Sequence, residues 1–66
     1  MYFVVWFDDT SEHEKQFASR WQAEKFAEEL ADGDANPDFN YIDVYKNDTL
    51  LISYRWNGRK YLVQKY

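Results

Sequence analysis

Cysteine is absent from this chain of 66 residues, which excludes disulfide bonds and thiol chemistry within it. No apolar run approaches the ~20 residues that a membrane-spanning helix needs. The apolar stretch Tyr2–Phe7 follows no basic residue and leads into Asp8 and Asp9, so we interpret it as a strand and not as a signal peptide. Together with the missing cysteine, these features predict a soluble protein of the cytoplasm.

Glycine is scarce too, and histidine occurs once. Gly33 suits the end of a helix and Gly58 suits a hairpin, so neither glycine is left for a phosphate-binding loop. His13 lies between Glu12 and Glu14, and nothing in the sequence fixes a nucleophile beside it. A chain of this length also has little room for a pocket of ~300 Å³ or more. We therefore predict that the protein is not an enzyme and holds no cofactor.

One stretch has the alternating oxygen ligands of a calcium loop: Asp32, Asp34, Asn36 and Asp38. The sixth loop position is Pro37, where the EF-hand turn requires glycine, and the segment that follows is typical of a strand. Ordinary turns also prefer these residue types. We predict no metal site here.

Aromatic residues are abundant, with three Trp, six Tyr and five Phe. A chain this short buries only about 60% of the surface that its unfolded form exposes. Each packed aromatic side chain can bury about 150–250 Å², so aromatic burial can build a core without disulfides. We expect one compact domain spanning residues 1–66, with surplus aromatic residues at the surface that indicate a partner or a homodimer.

The first half of the chain predicts two strands and a helix. Residues 2–8 are rich in β-formers and apolar on both faces, which is typical of a central strand covered on both sides. An apolar stripe at helical spacing follows, formed by Ala23, Phe26, Ala27 and Leu30. Ser19 and Gln22 form a capping box that starts a helix over Arg20–Ala31, after a short strand over Lys15–Ala18. A longer helix over Ser11–Ala31 is the alternative.

The last 27 residues predict a three-stranded meander. Asn57–Gly58 is typical of a two-residue type I′ turn, which pairs Tyr54 with Tyr61 on the core face. The same register makes Arg55 and Lys60 cross-strand neighbours on the other face.

The turn at residues 47–48 requires one bulged residue, because the unbulged register would bury the carboxylate of Asp43 against the core. The bulged register places Ile42 and Val44 inside. The predicted fold is therefore α+β: a small antiparallel sheet in the order ββαβββ, or βαβββ, with one helix packed on one face.

The net charge of −4 is unevenly divided. Residues 1–39 hold ten of the twelve acidic residues but three of the eight basic ones. On the helix, Trp21 lies with the charged side chains opposite the apolar stripe, and Trp is enriched at interface hot spots. We predict a partner-binding surface of Trp21, Glu24, Glu28, Glu29, Asp32 and Asp34. The structural alternative is that Trp21 folds back over the sheet edge and the acidic face is merely solvated.

A second candidate surface lies on the basic meander, with Tyr41, Tyr45, Arg55 and Lys60. Aromatic side chains on a sheet can stack bases, and paired cations attract phosphate. Against nucleic-acid binding stands the isoelectric point of about 4.7, because nucleic-acid-binding domains are usually basic. In the structural alternative, Arg55 pairs with Asp43.

A very small acidic α+β domain with surface aromatic residues and no catalytic apparatus is similar in general type to many phage-encoded inhibitors, including anti-CRISPR proteins. That similarity covers no specific motif, so it assigns no role to any residue. Our leading hypothesis is a non-catalytic inhibitor, encoded by a phage or mobile element, that docks its acidic aromatic surface on a basic target protein. The alternatives are a nucleic-acid-binding module that uses the meander, and a structural homodimer that pairs sheet edges.

Overall fold

Five strands form one antiparallel sheet with a helix packed against one face, in a computed structural model that describes residues 1–7, 10–32 and 41–66. The elements in chain order are β1 (Tyr2–Phe7), β2 (Glu12–Phe17), α1 (Arg20–Asp32), β3 (Tyr41–Lys46), β4 (Thr49–Trp56) and β5 (Tyr61–Lys65). The order ββαβββ confirms the predicted α+β fold. The alternative order βαβββ is not adopted, because β2 precedes the helix.

The strands lie in the order β2-β1-β3-β4-β5, so β1 is interior and β2 and β5 are the edges. The predicted central position of β1 is confirmed, but its predicted cover on both sides is wrong. Helix α1 packs over β1, β2 and β3 from one side, and no described helix or strand lies on the other side. We call that other side the open face. On β1 it carries Phe3, Val5 and Phe7.

The core lies between α1 and the central strands. Ala23 and Ala27 are fully buried, and their small side chains let the helix approach the sheet closely. Opposite them lie four fully buried branched side chains, those of Val4, Ile42, Val44 and Ile52. The ring of Phe26 packs 5.2 Å from the rings of both Trp6 and Phe17. Aromatic packing thus extends a core that aliphatic residues alone would leave small.

Helix α1 begins where the capping signal predicts. The Ser19 Oγ accepts a hydrogen bond of 3.2 Å from the backbone N–H of Gln22, and the Ser19 carbonyl accepts the first helical bond from Ala23. The helix ends at Asp32, one residue after the predicted end at Ala31. The predicted cap at Gly33 lies outside the described residues.

Strand β2 is longer than predicted. It begins at Glu12 rather than Lys15 and runs along the whole of β1, with Glu12 opposite Phe7 and Phe17 opposite Tyr2. Glutamate has low β propensity, so the residues before Lys15 give no strand signal of their own. Pairing with the apolar β1 decides its conformation.

The predicted register of the β4–β5 hairpin is wrong. Tyr54 pairs with Val63, and the last pair before the loop is Trp56 with Tyr61, so the loop spans residues 57–60. The Asn57 Oδ1 accepts hydrogen bonds of 2.9 Å from the backbone N–H groups of residues 59 and 60, which fixes the longer loop. Because the shift is two residues, every side chain stays on its predicted face.

The β3–β4 hairpin has the predicted bulge. The register shifts between Val44 and Tyr45, and Asn47 takes a positive φ of 52° in the turn. Ile42 and Val44 are therefore buried under the helix, as predicted. Asp43 points to the open face, opposite Ser53 of β4.

Candidate functional site

The side chain of Trp21 projects from the first turn of α1, and 68% of the residue's surface is exposed. The alternative in which it folds back over the sheet edge is therefore not adopted. The Lys25 Nζ lies 5.0 Å from the centroid of its ring, one helical turn further on. This cation–π contact orients the indole and leaves most of it open to a partner.

The acidic residues of the predicted helix surface are not equivalent. Glu24 is partly buried and its Oε2 accepts a hydrogen bond of 2.6 Å from the Nε of Arg20. Glu28 and Glu29 are exposed, as is Asp32 at the end of the helix. A surface recess of about 540 Å³ is lined by Arg20, Trp21, Glu24, Lys25 and Glu28. Asp34, the last predicted member, lies outside the described residues.

The negative potential of this helix also reaches the sheet. Tyr54 is buried, and that burial raises the pKa of its phenol above the ordinary value of 10.0. The carboxylates of Glu28, Glu24 and Asp32 raise the pKa further, because each disfavours a phenolate nearby. One side of the helix surface therefore lies close to β4.

The open face carries two aromatic rows separated by a smaller middle row. One row is formed by Phe7 and Tyr41, whose rings stack at 5.9 Å, and the other by Phe3 and Tyr45. Val5 and Asp43 lie between them. The rows follow from the register of β1 and β3, since side chains two residues apart share a face.

Asp43 and Arg55 form an ion pair on this face. The Arg55 NH1 donates a hydrogen bond of 2.6 Å to the Asp43 Oδ1, and the guanidinium lies 5.1 Å from the centroid of the Tyr41 ring. The bond to Asp43 raises the pKa of Arg55, although partial burial opposes this. The predicted structural role for Arg55, pairing with Asp43, is present in the structure.

Carboxylates dominate the rest of the open face. The Tyr41 hydroxyl donates a 3.2 Å hydrogen bond to the Glu12 Oε2, and the pKa of Tyr41 is raised by burial and by the Glu12 charge. A surface recess of about 460 Å³ contains four carboxylates and one guanidinium; its lining residues are Phe3, Val5, Glu12, Glu14, Tyr41, Asp43, Tyr45, Asn47, Asp48 and Arg55. This recess is an open depression of the surface and not an enclosed pocket.

The sequence did not place Glu12 and Glu14 on this face. The available signal was the alternation of Glu12 and Glu14 with His13 and Lys15, which puts both glutamates on one face once the segment is known to be a strand. That knowledge comes from pairing with β1.

Of the four residues predicted for nucleic-acid binding, the structure brings three together. Tyr41, Tyr45 and Arg55 line the same recess of the open face. Lys60 is not a neighbour of Arg55, which pairs with Leu62 instead. Lys60 lines a different recess, of about 470 Å³, on the helix side of the sheet.

The structure places a hydroxyl group beside His13, which the sequence did not indicate. The Ser11 Oγ lies 3.2 Å from the His13 Nε2, and the imidazole stacks on the ring of Trp6 at 5.4 Å. Both residues belong to the edge strand or the turn before it, and neither lines a recess described above. The contact with Trp6 gives His13 a packing role.

Among the residues described, no three His, Asp or Glu side chains are grouped closely enough to hold a metal ion. The loop that has the calcium pattern lies beyond Asp32, outside the described residues, so its prediction stays a prediction. No helix within the described ranges has the length and apolar character needed to cross a membrane.

Comparison with known proteins adds no family to this description. No family model matches the chain, and no curated protein and no solved structure matches it. The surfaces on α1 and on the sheet are therefore the observations from which a function can be proposed.

Proposed function

We propose that the protein is a non-catalytic binding protein that docks the outer surface of α1 on a basic partner protein. The observation that carries this proposal is the exposure of Trp21 on a helix that carries four carboxylates against two cations. An exposed indole can anchor a partner, because it combines a large apolar surface with an N–H donor and Trp is the residue type most enriched at interface hot spots.

The charges around Trp21 favour a basic partner. Glu28, Glu29 and Asp32 are exposed on the same helix, whereas Glu24 is engaged by Arg20. Exposed carboxylates around an aromatic anchor attract a basic surface and speed association, and they add less to affinity than the anchor does. The recess beside Trp21 gives a partner side chain a place to insert.

Docking alone is enough for an inhibitor, because occupying a surface of the target needs no catalytic group. We therefore keep the hypothesis of a phage or mobile-element inhibitor as the form that this binding function takes. Its support is the small acidic domain with an exposed aromatic anchor.

The open face supports a nucleic-acid-binding function less well. Its one guanidinium is already bonded to Asp43, and the recess is lined by more carboxylates than cations. Phosphates would be repelled from such a surface, and non-specific affinity for nucleic acid depends on cations that neutralise phosphates.

The test is capture of the partner by immobilised protein from a lysate of the native host, with quantitative mass spectrometry. We expect Trp21→Ala to lower the capture of the partner at least tenfold, since a hot-spot residue contributes about 2 kcal/mol or more. The double reversal Glu28→Lys and Glu29→Lys is expected to weaken capture most at low salt. It is a sharper test than reversal of Glu24, because Glu24 also stabilises the helix through Arg20.

Each variant has a matched control. Tyr66→Ala removes another aromatic side chain, 65% exposed, and Glu12→Lys with Glu14→Lys makes the same change of charge on the open face. Both controls are expected to capture the partner as the wild type does. Equal losses in test and control variants, or no loss in either, would show that the helix surface is not the docking site.

A further inference from the structure

The strands separate their charges between the two sides of the sheet. Their acidic side chains all lie on the open face: Glu12, Glu14 and Asp43. Their lysines all lie on the helix side: Lys15, Lys46 and Lys65. Arg55 is the one basic side chain that the described strands place on the open face. Acidic groups therefore dominate the side of the sheet that no described helix covers.

The recess of the open face combines aromatic side chains with an excess of negative charge. Its volume is about 460 Å³, and three aromatic side chains line it: Phe3, Tyr41 and Tyr45. Four carboxylates and one guanidinium line it too, which leaves three negative charges in excess. Aromatic rings attract cations through their faces, and carboxylates attract them by charge. The recess is therefore complementary to an organic cation.

Arg55 shows how this face holds a cation. Its NH1 donates a hydrogen bond of 2.6 Å to the Asp43 Oδ1, and its guanidinium lies 5.1 Å from the centroid of the Tyr41 ring. The same two kinds of group recur on the other side of Val5, which lies between Asp43 of β3 and Glu14 of β2. Glu14 is exposed, and it lines the recess together with the neighbouring ring of Phe3.

We infer that the open face binds an arginine side chain carried by a segment of another protein. The guanidinium lies over Val5, donates to the Glu14 carboxylate and stacks on the ring of Phe3. Arginine suits this site better than lysine, because its planar, weakly hydrated guanidinium both bonds carboxylates through two N–H groups and stacks on aromatic rings. This site and Trp21 lie on opposite sides of the sheet, so the inference does not depend on the proposed function.

Charge also decides what carries the arginine. The chain has a net charge of −4, so a second copy is repelled as a whole, and nucleic acid is repelled by the carboxylates. Three exposed carboxylates line the recess: Glu12, Glu14 and Asp48. A basic segment with more than one cation therefore gains more from this face than a small free cation does.

Nuclear magnetic resonance titration of the ¹⁵N-labelled protein tests the site with a defined probe, the peptide acetyl-Gly-Arg-Gly-Arg-Gly-amide. We expect the amide shifts of residues 3–5 and 14 to change most and to saturate with a Kd below about 1 mM. The matched control peptide has citrulline in place of both arginines, which keeps the shape and removes the charge. It is expected to bind at least about tenfold more weakly, and the lysine analogue about threefold more weakly.

Variants of the protein test the two groups that hold the guanidinium. Glu14→Gln removes a charge and keeps the size of the side chain, and we expect the Kd to rise at least about threefold. Glu29→Gln makes the same change on α1 and is expected to bind as the wild type does. Phe3→Leu removes the ring and is expected to weaken binding, whereas Phe3→Tyr keeps the ring and the affinity. The dispersion of the amide shifts shows whether each variant is folded, and Glu14→Gln decides the result if Phe3→Leu is not.

The inference is wrong if the arginine and citrulline peptides bind equally, if Glu14→Gln and Glu29→Gln weaken binding equally, or if the largest shifts lie on α1. Free argininamide that binds as tightly as the peptide would replace the protein segment by a small cation. Shifts at the open face when the protein alone is concentrated would assign the face to a second copy. Trp21→Ala is expected to bind the peptide as the wild type does, so this titration and the capture experiment fail separately.

Discussion

Asp43 is nearly buried, although it lies on the face of the sheet that no described helix covers. Its side chain is 8% exposed, against 51% for its partner Arg55. Placing the carboxylate on this face avoids the core, and the bond from Arg55 satisfies a charge that would be costly to bury alone. The sequence predicted the face of Asp43 through the bulge, but it could not predict the burial, which arises from the aromatic rows around it.

The raised pKa of Tyr54 predicts that the free energy of unfolding depends on pH in the alkaline range. Its folded-state pKa is raised by burial and by Glu28, so between pH 10.0 and that raised value the folded state holds a proton that the unfolded state has lost. The contribution is complete below pH ~10 and is lost as pH rises through the folded pKa. We expect Tyr54→Phe to reduce the fall in free energy of unfolding above pH ~10, leaving the part due to Tyr41.

Urea unfolding at a series of pH values between about 8 and about 11.5 measures this dependence. Tyr66→Phe is the control, at an exposed position, and is expected to follow the wild type. An alkaline dependence that is the same for Tyr54→Phe and the wild type would exclude Tyr54 as a source.

Helix α1 and the β4–β5 hairpin show what local sequence can predict at the scale of elements. The helix was predicted almost to its ends, because its cap at Ser19 and its apolar stripe are signals within one segment. The hairpin register was missed, because the side chain of Asn57 bonds the loop backbone and lengthens the loop. Strand β2 was predicted too short, because pairing with β1 decides its conformation and its own charged residues give little strand signal.

Of the two candidate sites, the helix surface could be predicted from local sequence, whereas the full open face could not. The helical positions of Trp21 and its acidic neighbours followed from periodicity, which does not say whether the indole folds back. The open face needs the register of β1, β2 and β3 at once, and the sequence did not provide it for Glu12 and Glu14.

The N-cap of α1 is expected to contribute to the stability of the fold. Ser19→Ala removes the acceptor of the Gln22 N–H, and we expect the free energy of unfolding to fall by about 1 kcal/mol. Ser19→Asp keeps an acceptor at the same place and is expected to retain most of that stability. Urea denaturation of the three proteins measures the difference, and an alanine variant as stable as the wild type would mean that the cap contributes nothing.

At the scale of the whole molecule, the two sides of the sheet differ in what they expose. The helix side presents the exposed indole of Trp21, whereas the recess of the open face is lined by more carboxylates than cations.

Because the core is small, removing part of one buried side chain is expected to unfold the protein. A domain of this length has roughly 3–5 kcal/mol of net stability, and truncating a fully buried Ile to Ala costs about 2–5 kcal/mol. Ile42 of β3 is fully buried under α1, so we expect Ile42→Ala to be largely unfolded at room temperature. Ile42→Val, which costs about 0.5–1.5 kcal/mol, is expected to stay folded. Far-ultraviolet circular dichroism and amide chemical-shift dispersion measure the outcome; a folded alanine variant with near-wild-type stability would show that the core tolerates a cavity better than its size implies.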